Sequence, residues 1–189
     1  MFSRIRTTED FWAWFAKEAD RLKKGDPVKS LNKIGQKLNQ AHPDLRVGIQ
    51  PEEGSDPWRL DISCEGVSQF IPLVQKVTAA APKLPGWEIV AFRQPMHGFA
   101  LQTSFGKASP ETTRFSGVWE GGKFDISIYI GLPDDPRDQD RLHLAFLLMD
   151  HTIGEYLVMT KIGEVHAHPA DAAPPAARPL TELAAELNA

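Results

Sequence analysis

The feature that most constrains the fold of this chain is a plan that occurs twice: a hairpin, then a helix, then a returning strand. The later copy spans residues 112–166 and reads TTRFSGVWEGGKFDISIYI, RDQDRLHLAFLLMDHTI and GEYLVMTKIGEV. The earlier copy spans residues 45–92 and reads DLRVGIQPEEGSDPWRLDISC, GVSQFIPLVQKVTAAAP and GWEIVAF. Because the second hairpin strand of each copy carries Asp-Ile-Ser, at 61–63 and 125–127, the sequence predicts two similar ββαβ units.

The hairpin strands alternate apolar and polar residues, a period typical of antiparallel strands with one buried face. We therefore expect an α+β fold in which the two units build one mostly antiparallel sheet, with helices mainly on one face. The nearly continuous apolar run 87–92 predicts a central strand. Alternation over 99–105 predicts a further strand, and the last strand is predicted over 156–165.

A helical hairpin is predicted ahead of the first unit, over residues 7–42. Thr7 followed by Asp10 fits a capping box, Gly25 ends the first helix, and Asp26-Pro27 begins the second. The first helix contains FWAWF, whose rings we interpret as a plug that seals the hairpin onto a sheet, in preference to an exposed partner-binding patch.

The predicted domain organisation is one α+β domain over 1–166, followed by an Ala/Pro-rich linker over 167–179 and a short amphipathic helix over 180–188. Such a short helix is marginal in water, so we expect it to dock. Its own core is the favoured place, and a second subunit is the alternative.

The composition of the chain limits the classes of function that we expect for it. The net charge of −4 provides no basic footprint for nucleic acid. A single cysteine, Cys64, offers no intrachain disulfide or thiolate cluster. The chain shows no secretory signal and no apolar run of membrane-spanning length, so a cytoplasmic protein is expected. No phosphate loop, dinucleotide fingerprint or nucleophile elbow occurs, and no cofactor is predicted.

Three segments carry a resemblance to a known family: the FWAWF start, ISCEG through AAPKLPGWEIVAFRQP, and LLMDHTIGEYLVMTKIGEV. Together they resemble a family of uncharacterised bacterial proteins with an N-terminal FWxWF signature and a late LLD-x-x-LGE-type motif. The resemblance covers roughly residues 8 to 187. It implies no reaction and no catalytic residue. The repeated plan is also similar to ferredoxin-like regulatory domains, including a ribonuclease-inhibitor type, which is an analogy of fold.

The main functional hypothesis is a non-catalytic binding or regulatory protein, either a monomer or a homodimer, that recognises an unknown protein or a small polar ligand. If all helices cover one face of the sheet, polar side chains from several strands form one surface on the other. A solvated face explains the same pattern without a function. The strand residues proposed for binding are Arg59, Asp61, Ser63, Gln102, Asp125, Ser127 and Tyr129.

The alternative is a metal-dependent hydrolase near residues 151–168. Asp150, His151 and Glu155 flank a predicted helix–strand junction and join the proposed binding residues, although capping or pairing is the commoner use of such residues and is the favoured interpretation. His151, His166 and His168 are weak candidates for a zinc site, since spacing alone does not place three ligands in one shell. A third possibility is assembly through the FWAWF helix or the C-terminal helix.

Overall fold

The computed structural model describes residues 5–50, 57–133 and 137–188, and the chain forms two compact units, residues 1–93 and 94–189. The α+β class is confirmed, since helices alternate with mixed and antiparallel strands in both units. The expectation of one shared sheet is wrong. Within the described ranges the strands form three sheets, and each ββαβ copy has its own.

The helical hairpin begins as its capping residues predict. α1 runs Thr8–Lys24, and the Thr7 side chain accepts a hydrogen bond from the Asp10 backbone N–H. α2 runs Pro27–Ala41, with Asp26 as its N-cap and proline in its first turn. The four rings of FWAWF are buried in their own unit, which agrees with the plug interpretation; they are Phe11, Trp12, Trp14 and Phe15.

The first sheet contains β1 (Arg46–Gln50), β2 (Trp58–Ser63) and β3 (Trp87–Ala91), with α3 (Ile71–Ala79) between β2 and β3. The order is β1-β2-β3, with β1 antiparallel and β3 parallel to β2. β3 is therefore an edge strand, and its predicted central position is wrong. An apolar run shows that both faces of a strand are covered, whereas position in a sheet depends on backbone pairing. The hairpin turn, residues 51–56, lies outside the described residues.

The second unit begins with a small hairpin, β4 (Leu101–Thr103) and β5 (Gly106–Ala108). Its main sheet contains the predicted hairpin of β6 (Arg114–Glu120) and β7 (Lys123–Ile130), followed by α4 (Asp138–Ile153). Apolar side chains from β7 and α4 form the core of this unit, including Ile126, Ile128, Leu144 and Leu148.

The predicted strand over 156–165 is wrong in its first half. Residues Glu155–Lys161 form a helix, α5, and β8 runs Ile162–Pro169, parallel to β7. Gly154 takes φ 89 between the two helices, a conformation that favours glycine. Glu155, Val158 and Met159 are the buried residues of α5, at helical spacing.

The C-terminal segment folds back onto its own unit. β9 (Arg178–Pro179) pairs with β6, which completes the order β8-β7-β6-β9, and α6 runs Leu183–Leu187. Leu180, Leu183 and Leu187 are buried in the same core as α4. The C-terminal helix thus docks in its own chain. No helix in the described part of the chain has the length and apolar character of a membrane span.

Candidate functional site

The candidate site is one face of the main sheet in the second unit. Residues of β7 alternate, so that Phe124, Ile126 and Ile128 enter the core while the intervening side chains lie on the other face. The strand register arranges that face in rows across β6, β7 and β8. We call it the polar face and define it by Arg114, Ser116, Val118, Asp125, Ser127, Tyr129, Glu164, His166 and His168.

A β-bulge shapes one end of the polar face. The register of β7 and β8 shifts beside Asp125, so that Gly163 and Glu164 together oppose one residue of β7. The Asp125 carboxylate accepts a hydrogen bond of 2.7 Å from the Glu164 backbone N–H through Oδ1. A Cβ at position 163 would overlap this same oxygen, so a larger residue there would displace the carboxylate or the strand. The bulge leaves the Glu164 side chain exposed at the edge of the face.

Ring contacts hold the other end. Ser116 and Tyr129 share a hydrogen bond of 3.0 Å between their hydroxyl groups. The Tyr129 ring stacks on His168, with centroids 5.4 Å apart and planes at 24°. These contacts leave Tyr129 only 8% exposed although it lies on the open side of the sheet. The Tyr129 ring is therefore held in place by its neighbours and forms the base of this end of the polar face.

Between the two ends lies a shallow depression of about 460 Å³. Ser127 lies in its middle, paired in register with Ser116 on β6 and His166 on β8. His166 is 60% exposed, and its Nε2 lies 3.6 Å from a Glu164 carboxylate oxygen. Val118, 64% exposed, supplies an apolar rim. The depression thus offers carboxylate, hydroxyl and imidazole groups beside an apolar side chain.

The serine, histidine and aspartate of the polar face are not linked to one another as a catalytic triad in the described residues. Serine, histidine and aspartate are the residue types of a nucleophilic triad, but a triad requires hydrogen bonds that link nucleophile, base and orienting carboxylate. In the described residues, no hydrogen bond connects Ser127 with His166, and Asp125 is bonded to the backbone of Glu164. Hydroxyls and carboxylates in this arrangement can accept and donate hydrogen bonds to a bound partner.

The residues predicted for one polar surface lie in separate sheets. Arg59 is half-buried in β2 and pairs with Glu88 of β3 at 2.9 Å. Asp61 and Ser63 are buried, at 2% and 0% exposure, because β2 is the central strand of its sheet and both of its faces are covered. Gln102 is exposed in the two-stranded hairpin. Of the predicted strand residues, the structure brings together Asp125, Ser127 and Tyr129.

The junction residues Asp150, His151 and Glu155 lie where α4 ends and α5 begins, and two of them are buried. Asp150 is 6% and Glu155 0% exposed. His151 donates through Nδ1 to the Leu147 carbonyl at 2.8 Å, and its own carbonyl accepts the Met96 N–H at 2.7 Å. Its imidazole is thereby tied to its own helix.

The three histidines of the predicted metal site do not converge. His166 and His168 lie on the polar face, with ring centroids 6.4 Å apart. His151 lies on α4, which packs against the opposite face of the sheet, and its ring contacts Phe99. Over the described ranges, no group of three or more histidine, cysteine or acidic side chains is placed to hold a metal ion. The sheet separates the proposed ligands.

Sequence reasoning missed Ser116 and Glu164, and it considered His166 and His168 only as weak candidates for zinc ligands beyond the predicted end of the last strand. β8 instead continues to Pro169 in register with β7. The signal in the sequence was the alternation of Glu164, His166 and His168 with Val165 and Ala167, which is typical of a strand with one buried face.

Comparisons of the chain with protein-family models, curated proteins and solved structures give no match. The geometry of the polar face is therefore the basis of the functional argument, and the resemblance to the FWxWF family stays a prediction.

Proposed function

We propose that the chain is a non-catalytic binding protein that recognises another protein through the polar face of its second unit. The observation that carries the proposal is the depression around Ser127. Three strands line it, and it combines the exposed Glu164 carboxylate and His166 imidazole with half-buried hydroxyl groups and an exposed apolar rim. Protein interfaces have this mixture of polar groups around a small apolar centre.

The shape of the depression favours a protein over a small ligand. Sites for small molecules bury most of the ligand surface in a concave pocket. The depression is open on one side and lies on a sheet, so it would leave much of the surface of a small molecule exposed. A protein surface can cover it, because shape complementarity then extends over the whole face. The side chain of Val118, 64% exposed, supplies the apolar part of that surface.

The charges suggest the chemistry of the partner. Asp125 and Glu164 lie together at the bulge and form the acidic end of the polar face. Only Oδ1 of Asp125 is engaged by the Glu164 N–H. A lysine or arginine of the partner would therefore find two carboxylates within one small region, and charge-assisted hydrogen bonds are stronger than neutral ones.

The test uses a substitution that fills the depression and removes no hydrogen bond. Ser127 is half-buried and its hydroxyl has no hydrogen bond within the described residues, so Ser127→Arg adds bulk and positive charge only. Ser104→Arg is the matched control, because Ser104 is exposed beside β4 and outside the polar face. Purified, immobilised proteins are used to capture partners from a lysate of the source cells, with quantitative mass spectrometry as the readout.

We expect a protein that wild type and Ser104→Arg capture equally and that Ser127→Arg loses, while the melting temperatures of all three agree within a few degrees. Equal capture by Ser127→Arg and Ser104→Arg would contradict the proposal. Loss in both variants would show that added charge, and not the polar face, decides capture.

A further inference from the structure

An exposed edge strand in the second unit has the features of a self-pairing surface. β8 is the outermost strand in the order β8-β7-β6-β9, and it is eight residues long. The other edge, β9, has only two residues. In the described residues, no backbone hydrogen bond outside the β7–β8 ladder involves 163–169. A long edge with unpaired N–H and C=O groups is a template for another strand.

Symmetry restricts how β8 pairs with a second copy of itself. A two-fold axis perpendicular to the sheet keeps each face on its own side. Directly opposed residues of an antiparallel pair also lie on the same face. Residues on the polar face of one copy, Glu164, His166 and His168, must therefore oppose residues of the same set in the other copy.

Cross-strand side-chain pairs select the register. Regular pairing with β7 resumes at Val165, after the bulge residues Gly163 and Glu164, and β8 ends at Pro169, which has no N–H to donate. Centring the two-fold axis on His166 places Glu164 opposite His168 of the second copy, and His168 opposite Glu164, while Val165 opposes Ala167 on the other face. An axis at residue 164 would instead oppose two glutamates, and one at residue 167 would oppose the imidazoles of His166 and His168 and pair no acid with them.

We infer that β8 is a homodimer interface, in which two copies pair their β8 strands antiparallel about His166 and form one continuous sheet. Two acid–imidazole pairs flank the axis on the polar face, and two Val–Ala pairs flank it on the other. Opposite-charge and apolar cross-strand pairs of this kind stabilise sheets. The ladder uses the backbone edge of β8, whereas the proposed function uses the face around Ser127. Glu164 and His166 belong to both surfaces, so the dimer is measured on the purified protein alone, and failure of one proposal leaves the other in place.

Charge reversal tests the pairing. Glu164→Lys places a cation opposite His168 of the second copy at both sites, and we expect the dimer dissociation constant to rise about tenfold or more. The backbone N–H of residue 164 still reaches Asp125, so the bulge is retained. Glu182→Lys, at an exposed position in the C-terminal turn, is the control with the same charge change. The double variant Glu164→Lys/His168→Glu restores opposite charges and is expected to recover dimerisation. Sedimentation equilibrium measures all four proteins.

Cross-linking tests the register. The only native cysteine, Cys64, is buried. In the inferred dimer, two copies of His166→Cys face each other on the axis at about 4.5 to 5.5 Å between Cα atoms, within disulfide range. We expect His166→Cys to form a covalent dimer under mild oxidation. Thr181→Cys, which is exposed elsewhere, is expected to form none. Non-reducing gel electrophoresis compares the two variants.

A dimer that Glu164→Lys weakens, that the double variant restores and that His166→Cys cross-links supports the inference. Wild-type protein that stays monomeric at every attainable concentration overturns it. A dimer that is indifferent to Glu164→Lys and does not cross-link through residue 166 also overturns it, because that dimer uses another surface.

Discussion

The Asp125 carboxylate accepts the backbone N–H of Glu164 at 2.7 Å, across the one irregularity in the β7–β8 pairing. This bond satisfies a donor that the bulge removes from the ladder, and it turns the following residues so that Glu164, His166 and His168 lie on one face. One side chain thus links the local backbone geometry to the composition of the whole polar face.

Removing the glycine that accommodates this bond is expected to destabilise the second unit. In Gly163→Ala the new Cβ overlaps the Asp125 carboxylate, so either the hydrogen bond or the strand must shift. Overpacking of this kind costs about 1–3 kcal/mol. Gly131→Ala is the control, since its Cβ meets only Ala170 at an ordinary 3.4 Å. Urea unfolding compares both with wild type, and equal stability of the two variants would show that the bulge tolerates a side chain.

The acceptor atom, and not the charge, is expected to matter most for the bulge. Asp125→Asn keeps an oxygen that can accept the Glu164 N–H, whereas Asp125→Ala leaves that donor to water. We expect Asp125→Ala to lose about 1 kcal/mol of unfolding free energy and Asp125→Asn to lose less. Thermal unfolding at one pH measures both. A greater loss in the asparagine variant would mean that the charge holds the bulge.

The C-terminal helix is expected to contribute substantially to the stability of its own unit. Leu183 is fully buried in the core around α4, and Leu183→Ala leaves a cavity in that core. Truncations of this kind cost about 2–5 kcal/mol. Glu182→Ala, at the exposed preceding position, is expected to change stability little. If Leu183→Ala unfolds at the same urea concentration as Glu182→Ala, the helix does not dock in its own core.

A pH dependence is expected from His42 in the first unit. Partial burial, and secondarily the positive charge of Lys76, lower the pKa of His42, whose Nε2 lies 2.9 Å from the Thr8 hydroxyl. The unfolded chain therefore binds the proton more readily than the folded protein. The stabilisation by neutral His42 is complete above the unfolded pKa of about 6.5 and is lost as pH falls from there toward the lowered folded pKa.

His42→Gln is expected to flatten this part of the stability profile, while His97→Gln, at an exposed position in the second unit, leaves it unchanged. Urea unfolding at several pH values from neutral to mildly acidic provides the comparison. A wild-type slope that persists in His42→Gln would assign the dependence to other groups.

The elements that short-range chemistry determines could be predicted from the sequence. Thr7, Asp26 and Pro27 fix where α1 and α2 begin because capping depends on immediate neighbours. The second hairpin could also be predicted, because Glu120-Gly121-Gly122-Lys123 places glycines at the two positions with positive φ. Burial of Ile62 and Ile126 also follows from simple alternation.

The elements that depend on distant pairing could not be predicted. Asp61 and Asp125 stand in identical tripeptides, yet Asp61 is buried and Asp125 is only half-buried, because the two strands have different surroundings in separate sheets. The segment EYLVMTK fits both a period of two and a helical period, and seven residues are too few to separate them. The alternation of residues in β7 predicted part of the candidate site. The other residues of the site could not be predicted, because their place on the polar face depends on how β6 and β8 pair with β7.

Hydroxyl-radical footprinting, with and without the protein that the wild type captures, tests most directly whether the polar face is the binding surface. It reports the solvent exposure of individual side chains. We predict that oxidation of Val118 and His166 falls on binding, while the exposed Val28 and Val67 of the first unit are oxidised as before. Unchanged oxidation of Val118 and His166, with protection at Val28 or Val67, would contradict it.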